Sequence, residues 1–454
     1  MKVLKFGGTS VGTVDSLNNV KKIVDAIPGK AIIVVSALGG LTDKLIATAG
    51  LAAKEMESWQ HEMKLIRERH FNIIENVVPD MFKDEVLTKV SQLLDDLERN
   101  YQGIYLLRTL PEPILDIIVS FGERISSLIV AAMVKNGKRY YSPDFIKTEK
   151  WYGKNVANRK LTENLIQETF SLMGEDEKAI VPGFISSDSS TSNITNLGRG
   201  GSDYTGALIA AALDAEVLEI WTDVDGFMTA DPRIVKDALL INHLTFTESM
   251  ELCTFGAKVI YPPTIYPVFH KNIPIKILNT FNLKAPGTLI TDMPHRDDFE
   301  VKGVTALKDL ALISAEMRPA ADHNEISQRA LNTLSKLGVR IIPVSNPTHP
   351  SQLVYAIPAQ DAPISLKNFE KEFAPEISGQ LLSQPRMTTN LSALAVVGKD
   401  MRNKNRLAGR IHHSLHRQGI SVEANSTNSD TTLIYIINQE KSPEALPLIH
   451  SLIF

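Results

Sequence analysis

The alternation of apolar and polar residues divides the chain into two textures. In the first, up to about residue 290, short apolar runs take turns with amphipathic helical patterns. Val3–Phe6 is a brief run ending at Gly7-Gly8, and a helical period follows over Asp15–Ala26 until Pro28-Gly29 closes it. Ala31–Val35 is an unbroken, mostly β-branched run, the pattern of a strand buried on both faces. A strand, a crossover helix and a buried strand predict a βαβ start and a parallel sheet covered on both sides. Leu41–Asn100 reads as charged helix, densest over Met56–Glu75, which is the pattern of a solvated helical excursion. Further strands are predicted at Ile114–Val119, Ala179–Val181, Val217–Trp221 and Ile273–Leu278, with helices at Arg124–Lys135 and Asp203–Leu213.

A polar, proline-containing stretch, 291–298, reads as a linker. Beyond it a single design occurs twice. Leu310–Met317 and Leu391–Val397 are strand-like, and each precedes a helical pattern, at Glu325–Leu337 and Asn405–Gln418. Each helix stops at a glycine, Gly338 or Gly419, in the manner of a C-cap. Second strands follow at Arg340–Val344 and Ser421–Ala424, third strands at Leu353–Ile357 and Thr432–Ile437, and late helices near Ser365–Phe373 and Pro443–Ser451. A repeated β-α-β-β-α pattern predicts two small ferredoxin-like α+β domains.

Composition narrows the class without naming a function. At 454 residues the chain is long enough for roughly three domains. With 48 Lys+Arg against 52 Asp+Glu, its net charge of −4 gives no electrostatic reason to expect nucleic acid as a partner. The lone cysteine, Cys253, excludes an internal disulfide and a Cys-rich zinc site. No apolar run approaches a membrane span, and Met1–Gly8 turns into glycines too early for a signal-peptide core. A cytoplasmic protein with no membrane partner is the expectation.

Three motif readings fail. Gly7 and Gly12 have P-loop spacing, but Thr13 and Val14 stand where Lys and Ser/Thr belong. Gly198-Arg199-Gly200-Gly201-Ser202 is followed by Asp203 where a dinucleotide fingerprint needs glycine. His412 and His416 sit one helical turn apart without the carboxylate of a metalloprotease pattern, so a packing or surface role is the better reading. Other motifs point to an anion. Lys5-Phe6-Gly7-Gly8-Thr9-Ser10 lies between a strand and a helix, where glycines let backbone N–H groups approach an anion and a lysine supplies a point charge. Leu197–Asp203 crowds an arginine, three glycines, a hydroxyl and a carboxylate into another helix start; capping explains Asp203 alone and leaves Arg199 unexplained. Ser120-Phe121-Gly122-Glu123-Arg124 reads either as a capping box or as a carboxylate at the end of a strand. Trp221–Gly226 and Asp231-Pro232-Arg233 combine turn chemistry with carboxylates, and Phe255-Gly256-Ala257-Lys258 sets a lysine after a short helix.

Taken together and in this order, these motifs resemble the aspartate kinases of the amino-acid kinase family, over nearly the whole chain. The resemblance implies a three-layer αβα kinase domain with a largely parallel sheet over residues 1–293. Two ACT domains, 301–380 and 381–454, would follow, one of them possibly inserted in the other. It implies transfer of the γ-phosphoryl group of MgATP to the β-carboxylate of L-aspartate, the first step toward lysine, threonine and methionine. By resemblance, Lys5, Asp203 and Arg199 are catalytic; Thr42, Glu123, Arg199 and Ser202 bind aspartate. Lys5, Gly7, Gly8, Ser10, Thr222, Asp223, Met228, Arg233 and Lys258 bind ATP. Such a transfer needs positive charge and fixed donors rather than a general base, because an ionised carboxylate is already nucleophilic. Mg²⁺ is expected to arrive with ATP, with no protein metal site. Gly226-Phe227-Met228 departs from relatives that carry tyrosine at the third position, so Met228 can pack on adenine but offers no phenolic hydroxyl.

The ACT pair implies an amino-acid effector and a homodimer or larger homo-oligomer. In the first repeat, Ile341–Asn346 lacks the family's usual Asn-Ile-Ser-Val entry; Gln418–Val422 and Asn425-Ser426-Thr427 in the second come closer. Two alternatives remain: a related kinase with another acceptor, and a catalytically silent amino-acid sensor. The sensor would be expected to lack Lys5, Glu123, Arg199 or Asp203, all of which are present. With the second repeat running to Phe454, no fused dehydrogenase is expected.

Overall fold

Lys2–Phe6 forms strand β1, Val14–Asp25 forms helix α1, and the chain returns as Ala31–Val35, strand β2, parallel to β1. Every residue of β2 is buried, as an unbroken apolar sequence requires of a central strand. Thr13 opens α1 with a capping box: its hydroxyl accepts from Ser16 N, and Ser16 Oγ accepts from Thr13 N. The computed structural model describes residues 1–151, 153–293, 299–342, 344–345, 351–426 and 429–454. They gather into two units: Met1–Phe227 with Val259–Met293, and Met228–Lys258 with Pro294–Phe454.

In the first unit β2 is followed by four long helices, α2 (Leu41–Ala53), α3 (Ser58–Val77), α4 (Asp80–Leu107) and α5 (Glu112–Met133). Then come β3 (Gly137–Arg139), β4 (Lys178–Pro182), α6 (Gly201–Ala212), β5 (Val217–Thr222), β6 (Ile275–Asn279) and β7 (Thr288–Thr291). Within this unit the strands lie in the order β7-β6-β5-β1-β2-β4-β3, and only the β6–β7 pair is antiparallel. A smaller four-stranded sheet joins Lys154–Ala157, Lys147–Trp151, Ile185–Asp188 and Ile194–Asn196. Leu4, Phe6, Ile33 and Val35 pack into one core with α1–α5. Lys5 alternates to the opposite face, against α6, where a Cβ on Gly206 would stand in ordinary contact 3.6 Å from Lys5 Cβ. Helices therefore cover both sheet faces, which is the three-layer αβα arrangement.

One expectation is corrected here. Ile114–Val119 is not a strand; it lies inside α5, which runs unbroken from Glu112 to Met133. From Ile118 to Val130 nearly every residue of α5 is buried. A helix buried all round shows no apolar stripe, so its sequence mimics a buried strand.

In the second unit a short helix α7 (Phe246–Thr254) precedes β8 (Val301–Glu316), α8 (His323–Lys336), β9 (Gln352–Pro358), α9 (Ala362–Glu372) and β10 (Arg386–Gly398). Helix α10 (Asn405–Arg417), β11 (Val422–Ser426), β12 (Thr432–Asn438) and α11 (Ser442–Ile453) complete it. The sheet is antiparallel throughout, in the order β9-β8-β10-β12-β11. Both repeats share β8. Val304 and Ala306 face a core made with α10 and α11, whereas Ala311, Ile313 and Ala315 face one made with α8 and α9. The switch from one parity to the other is a bulge near Asp309, whose φ of 60° is left-handed. One extra residue keeps both helix pairs on one sheet face and leaves Leu310 and Leu312 to pack with Phe255 and Ile436 on the other.

Among the described residues of the strand expected at Arg340–Val344, Ile342 makes an isolated bridge to Ala356, and just beyond it Ser345 bridges to Asn425. Of the linker 291–298, residues 294–298 lie outside the described residues, as do 343 and 346 of the first effector motif and 427 of the second.

Candidate active site

Strand β1 delivers Lys5 to the mouth of the sheet, and the first turn of α6 delivers Asp203. Lys5 Nζ stands 2.6 Å from Asp203 Oδ1, with both side chains largely buried. The pair is a charge contact, not an aligned hydrogen bond, so Asp203 Oδ1 is buried without a donor directed at it. A carboxylate in the first turn is also favoured by the dipole of α6. Gly200 initiates this helix at φ 70°, and a Cβ there would meet Tyr261 Cβ at 2.7 Å. At Gly183 a Cβ would meet Ser202 Cβ at 2.7 Å, so the loop after β4 lies directly on buried Ser202.

Two loops rich in glycine touch in front of Lys5. A Cβ at Gly8 would meet Ala37 O at 3.1 Å, and one at Gly39 would meet Gly8 O at 3.1 Å. Gly7 N donates to Trp221 O at 3.0 Å, so its amide is committed within the fold; the amide of Gly8 has no such partner among the described residues. Ser10 is fully buried, its hydroxyl 2.7 Å from Thr280 Oγ1 and 3.3 Å from Trp221 O, which fastens this loop to the ends of β5 and β6. Thr42 is half-buried in the first turn of α2, just after left-handed Gly40.

Glu123 departs from its expected setting. It is neither at a strand end nor part of a capping box; it sits in the middle of α5, 3% exposed, and Ser120 Oγ donates back to Ile117 O. Burial pushes its carboxyl up to about 8, while the backbone amides of Ala37 and Glu123 and the charge of Lys5 pull it down to a lesser degree. Its Oε2 has no hydrogen-bond partner. An unsatisfied, buried carboxyl near Lys5 is a ready acceptor for a cationic group.

Other anticipated residues are dispersed. Arg199 is exposed, its guanidinium 5.7 Å from the ring of Tyr261. Thr222 Oγ1 donates to exposed Asp223 Oδ1 at 3.3 Å. Met228, Arg233 and Lys258 belong to the second unit. There the Arg233 side chain grips Asp231 in a fork, Nε to Oδ1 at 2.9 Å and Nη2 to Oδ2 at 2.7 Å, and Lys258 is exposed. Among the described residues no group of three or more His, Cys, Asp or Glu is placed to hold a metal ion, and no helix is long and apolar enough to cross a membrane.

The sequence reading missed the loop 36–40 and its supports. Gly122 lets α5 approach this loop, since a Cβ on it would be 2.6 Å from Ala37 Cβ, and Ser126 Oγ donates to Ser36 O at 2.7 Å. Gly122 and Ser126 are one turn apart, a signal that becomes readable only when the segment is recognised as a helix.

Residues 1–279 match the model of the amino acid kinase family, and residues 394–452 that of an ACT domain. The chain is 30% identical to a bifunctional aspartokinase/homoserine dehydrogenase of Buchnera aphidicola, over 100% of this chain and 56% of that protein. It is 25% identical to the chloroplastic aspartokinase 1 of Arabidopsis thaliana, covering 80% of it. The chain spans about half the length of the first curated relatives it matches. Among solved structures, E. coli aspartokinase III in complex with aspartate and ADP superposes with a TM-score of 0.81 at 23% identity, covering 99% of both chains.

Proposed function

Because the chain belongs to the amino acid kinase family, we propose that it transfers the γ-phosphoryl group of MgATP to the β-carboxylate of L-aspartate. The observation that carries the reading is the juxtaposition of a Lys5–Asp203 pair with the buried, unsatisfied Glu123 carboxyl. Lys5 supplies positive charge to a phosphoryl group in flight, and Asp203 holds its ammonium in place. The Gly8 amide adds a fixed donor beside it. Glu123 takes the ammonium group of aspartate, which replaces the missing hydrogen-bond donor at Oε2. Ser202 and Thr42 add hydroxyl contacts, and Arg199 swings from its exposed position onto a substrate carboxylate, which suits a bidentate guanidinium. Thr222, Asp223, Met228, Arg233 and Lys258 serve ATP, whose Mg²⁺ enters with the nucleotide. The chemistry asks for no general base.

The catalytic part is residues 1–293, and 301–380 and 381–454 are two ACT domains that share β8. Their function is feedback control by an end-product amino acid, in a homodimer or larger assembly. The ACT match over 394–452 supports the regulatory part of this reading. The test of the reaction is purified protein with MgATP, aspartate and hydroxylamine, which traps an acyl phosphate as the hydroxamate. Folded protein that yields no aspartyl hydroxamate sinks the proposal. Lysine, threonine and methionine titrated into the same assay identify an effector as the one that changes the rate.

A further inference from the structure

Helix α3 belongs to the charged helical excursion that neither the motifs nor the proposed chemistry use. One of its residues nevertheless reaches the site. Arg69 Nη2 donates to Gly12 O at 3.0 Å and to Gly39 O at 2.9 Å. Gly12 closes the loop after β1, immediately before the cap of α1, and Gly39 lies in the loop after β2, immediately before Gly40, which initiates α2. These are the two loops that touch through bare glycines. A Cβ at Gly12 would meet Gly8 O at 3.1 Å and Gly39 N at 3.3 Å, so the contact is backbone against backbone.

The loop-to-loop contact itself is made by backbone alone, and glycine backbone has more conformational freedom to lose than any other. One guanidinium nitrogen with two N–H groups, each on a carbonyl from a different loop, supplies a lock. We infer that Arg69 is a positioning residue of the phosphoryl-transfer site, holding the Gly7–Gly12 and Ser36–Gly40 loops in register so that Lys5, the Gly8 amide and Thr42 converge on one substrate. The inference rests on the kinase reading above. Arg69 itself touches no reacting atom. A misplacement of the order of 1 Å at a positioned group costs roughly 100-fold in rate, which sets the scale of the effect.

The test uses the full chain with Arg69→Ala, Arg69→Met and Arg69→Lys. The expected result is a fall of roughly 10- to 100-fold in kcat/KM for Arg69→Ala and Arg69→Met, with Arg69→Lys in between because an ammonium lacks the planar fork. Millimolar guanidinium or methylguanidinium should restore turnover to Arg69→Ala without moving its melting temperature, a recovery that a purely structural role would not show. ATP affinity, measured calorimetrically without aspartate, should fall in parallel. Wild-type protein inactive on aspartate refutes the acceptor assignment alone, and the loop lock is then judged by ATP affinity. Unchanged turnover and unchanged ATP affinity in Arg69→Met, or losses that follow melting temperature and resist guanidinium, overturn the inference.

Discussion

Replacing Glu123 by glutamine should make the protein more stable and less functional, by an amount that depends on pH. Burial raises the Glu123 carboxyl from 4.5 to about 8. A carboxyl raised on folding contributes stability that is complete below its unfolded value and is lost as pH climbs through its folded value. The loss therefore runs between pH 4.5 and 8, at about 1.4 kcal/mol per pH unit, and reaches about 5 kcal/mol above pH 8. Glutamine keeps the shape of the protonated acid and never ionises. The Glu123→Gln variant should match wild type within about 1 kcal/mol at pH 5 and exceed it by about 3 kcal/mol at pH 7, rising further by pH 8.5. At 2–4 °C per kcal/mol in a unit of this size, the gap in melting temperature grows to roughly 10–20 °C. Scanning calorimetry of both proteins from pH 5 to 8.5 reads that gap, and the titration of every other group cancels in the difference. A gap independent of pH, or one that shrinks as pH rises, refutes the claim that Glu123 is a desolvated acid. The same variant should bind aspartate at least tenfold more weakly, because an amide cannot pair with an ammonium ion.

Three further outcomes follow from the site. Lys5→Ala should lower kcat roughly 10²- to 10³-fold while ATP affinity changes far less, as steady-state rates beside calorimetric binding will tell; an equal loss in both would make Lys5 a binding residue only. Gly122→Ala sets a methyl 2.6 Å from Ala37 Cβ. It should displace the loop 36–40, raise the KM for aspartate and cost about 1–3 kcal/mol of stability by overpacking, measured by initial rates and denaturant unfolding; unchanged KM counts against the loop's role. Aspartate binding at pH 7 should release close to one proton as the incoming ammonium ionises Glu123, which calorimetry in buffers of different ionisation enthalpy detects; identical heats in those buffers would contradict it.

Much of the architecture was legible in the chain because its signals were local. The five buried positions of β2 and the glycines ending α8 and α10 each report their own neighbourhood. The duplicated pattern after residue 300 was legible for the same reason. The bulge at Asp309 was not. Alternation along β8 breaks there by a single residue, and only the pairing with β9 and β10 shows that both helix pairs thereby share one face. The site followed the same division. Lys5, Ser202 and Asp203 stood in motifs of glycine and charge, whereas Arg69 lies in a helix of ordinary charged sequence and acts across 57 positions on Gly12. No local signal distinguishes it from Arg67 two positions earlier, which pairs instead with Asp95 and Glu98 of α4.

The misreading of α5 and the chemistry of Glu123 have one cause. Residues 114–119 looked like a buried strand because nothing polar interrupts them on any face except Asp116, and a helix sunk in the core needs no polar stripe. The same enclosure shields nearly all of Glu123 from water. In such surroundings an ionised carboxylate is unfavourable until a cation arrives to share its charge. Under the proposed function, Glu123 is held protonated at neutral pH by burial until the ammonium group of aspartate arrives. The apolarity that hid the helix from a reading of periodicity is what makes the carboxyl responsive to its ligand.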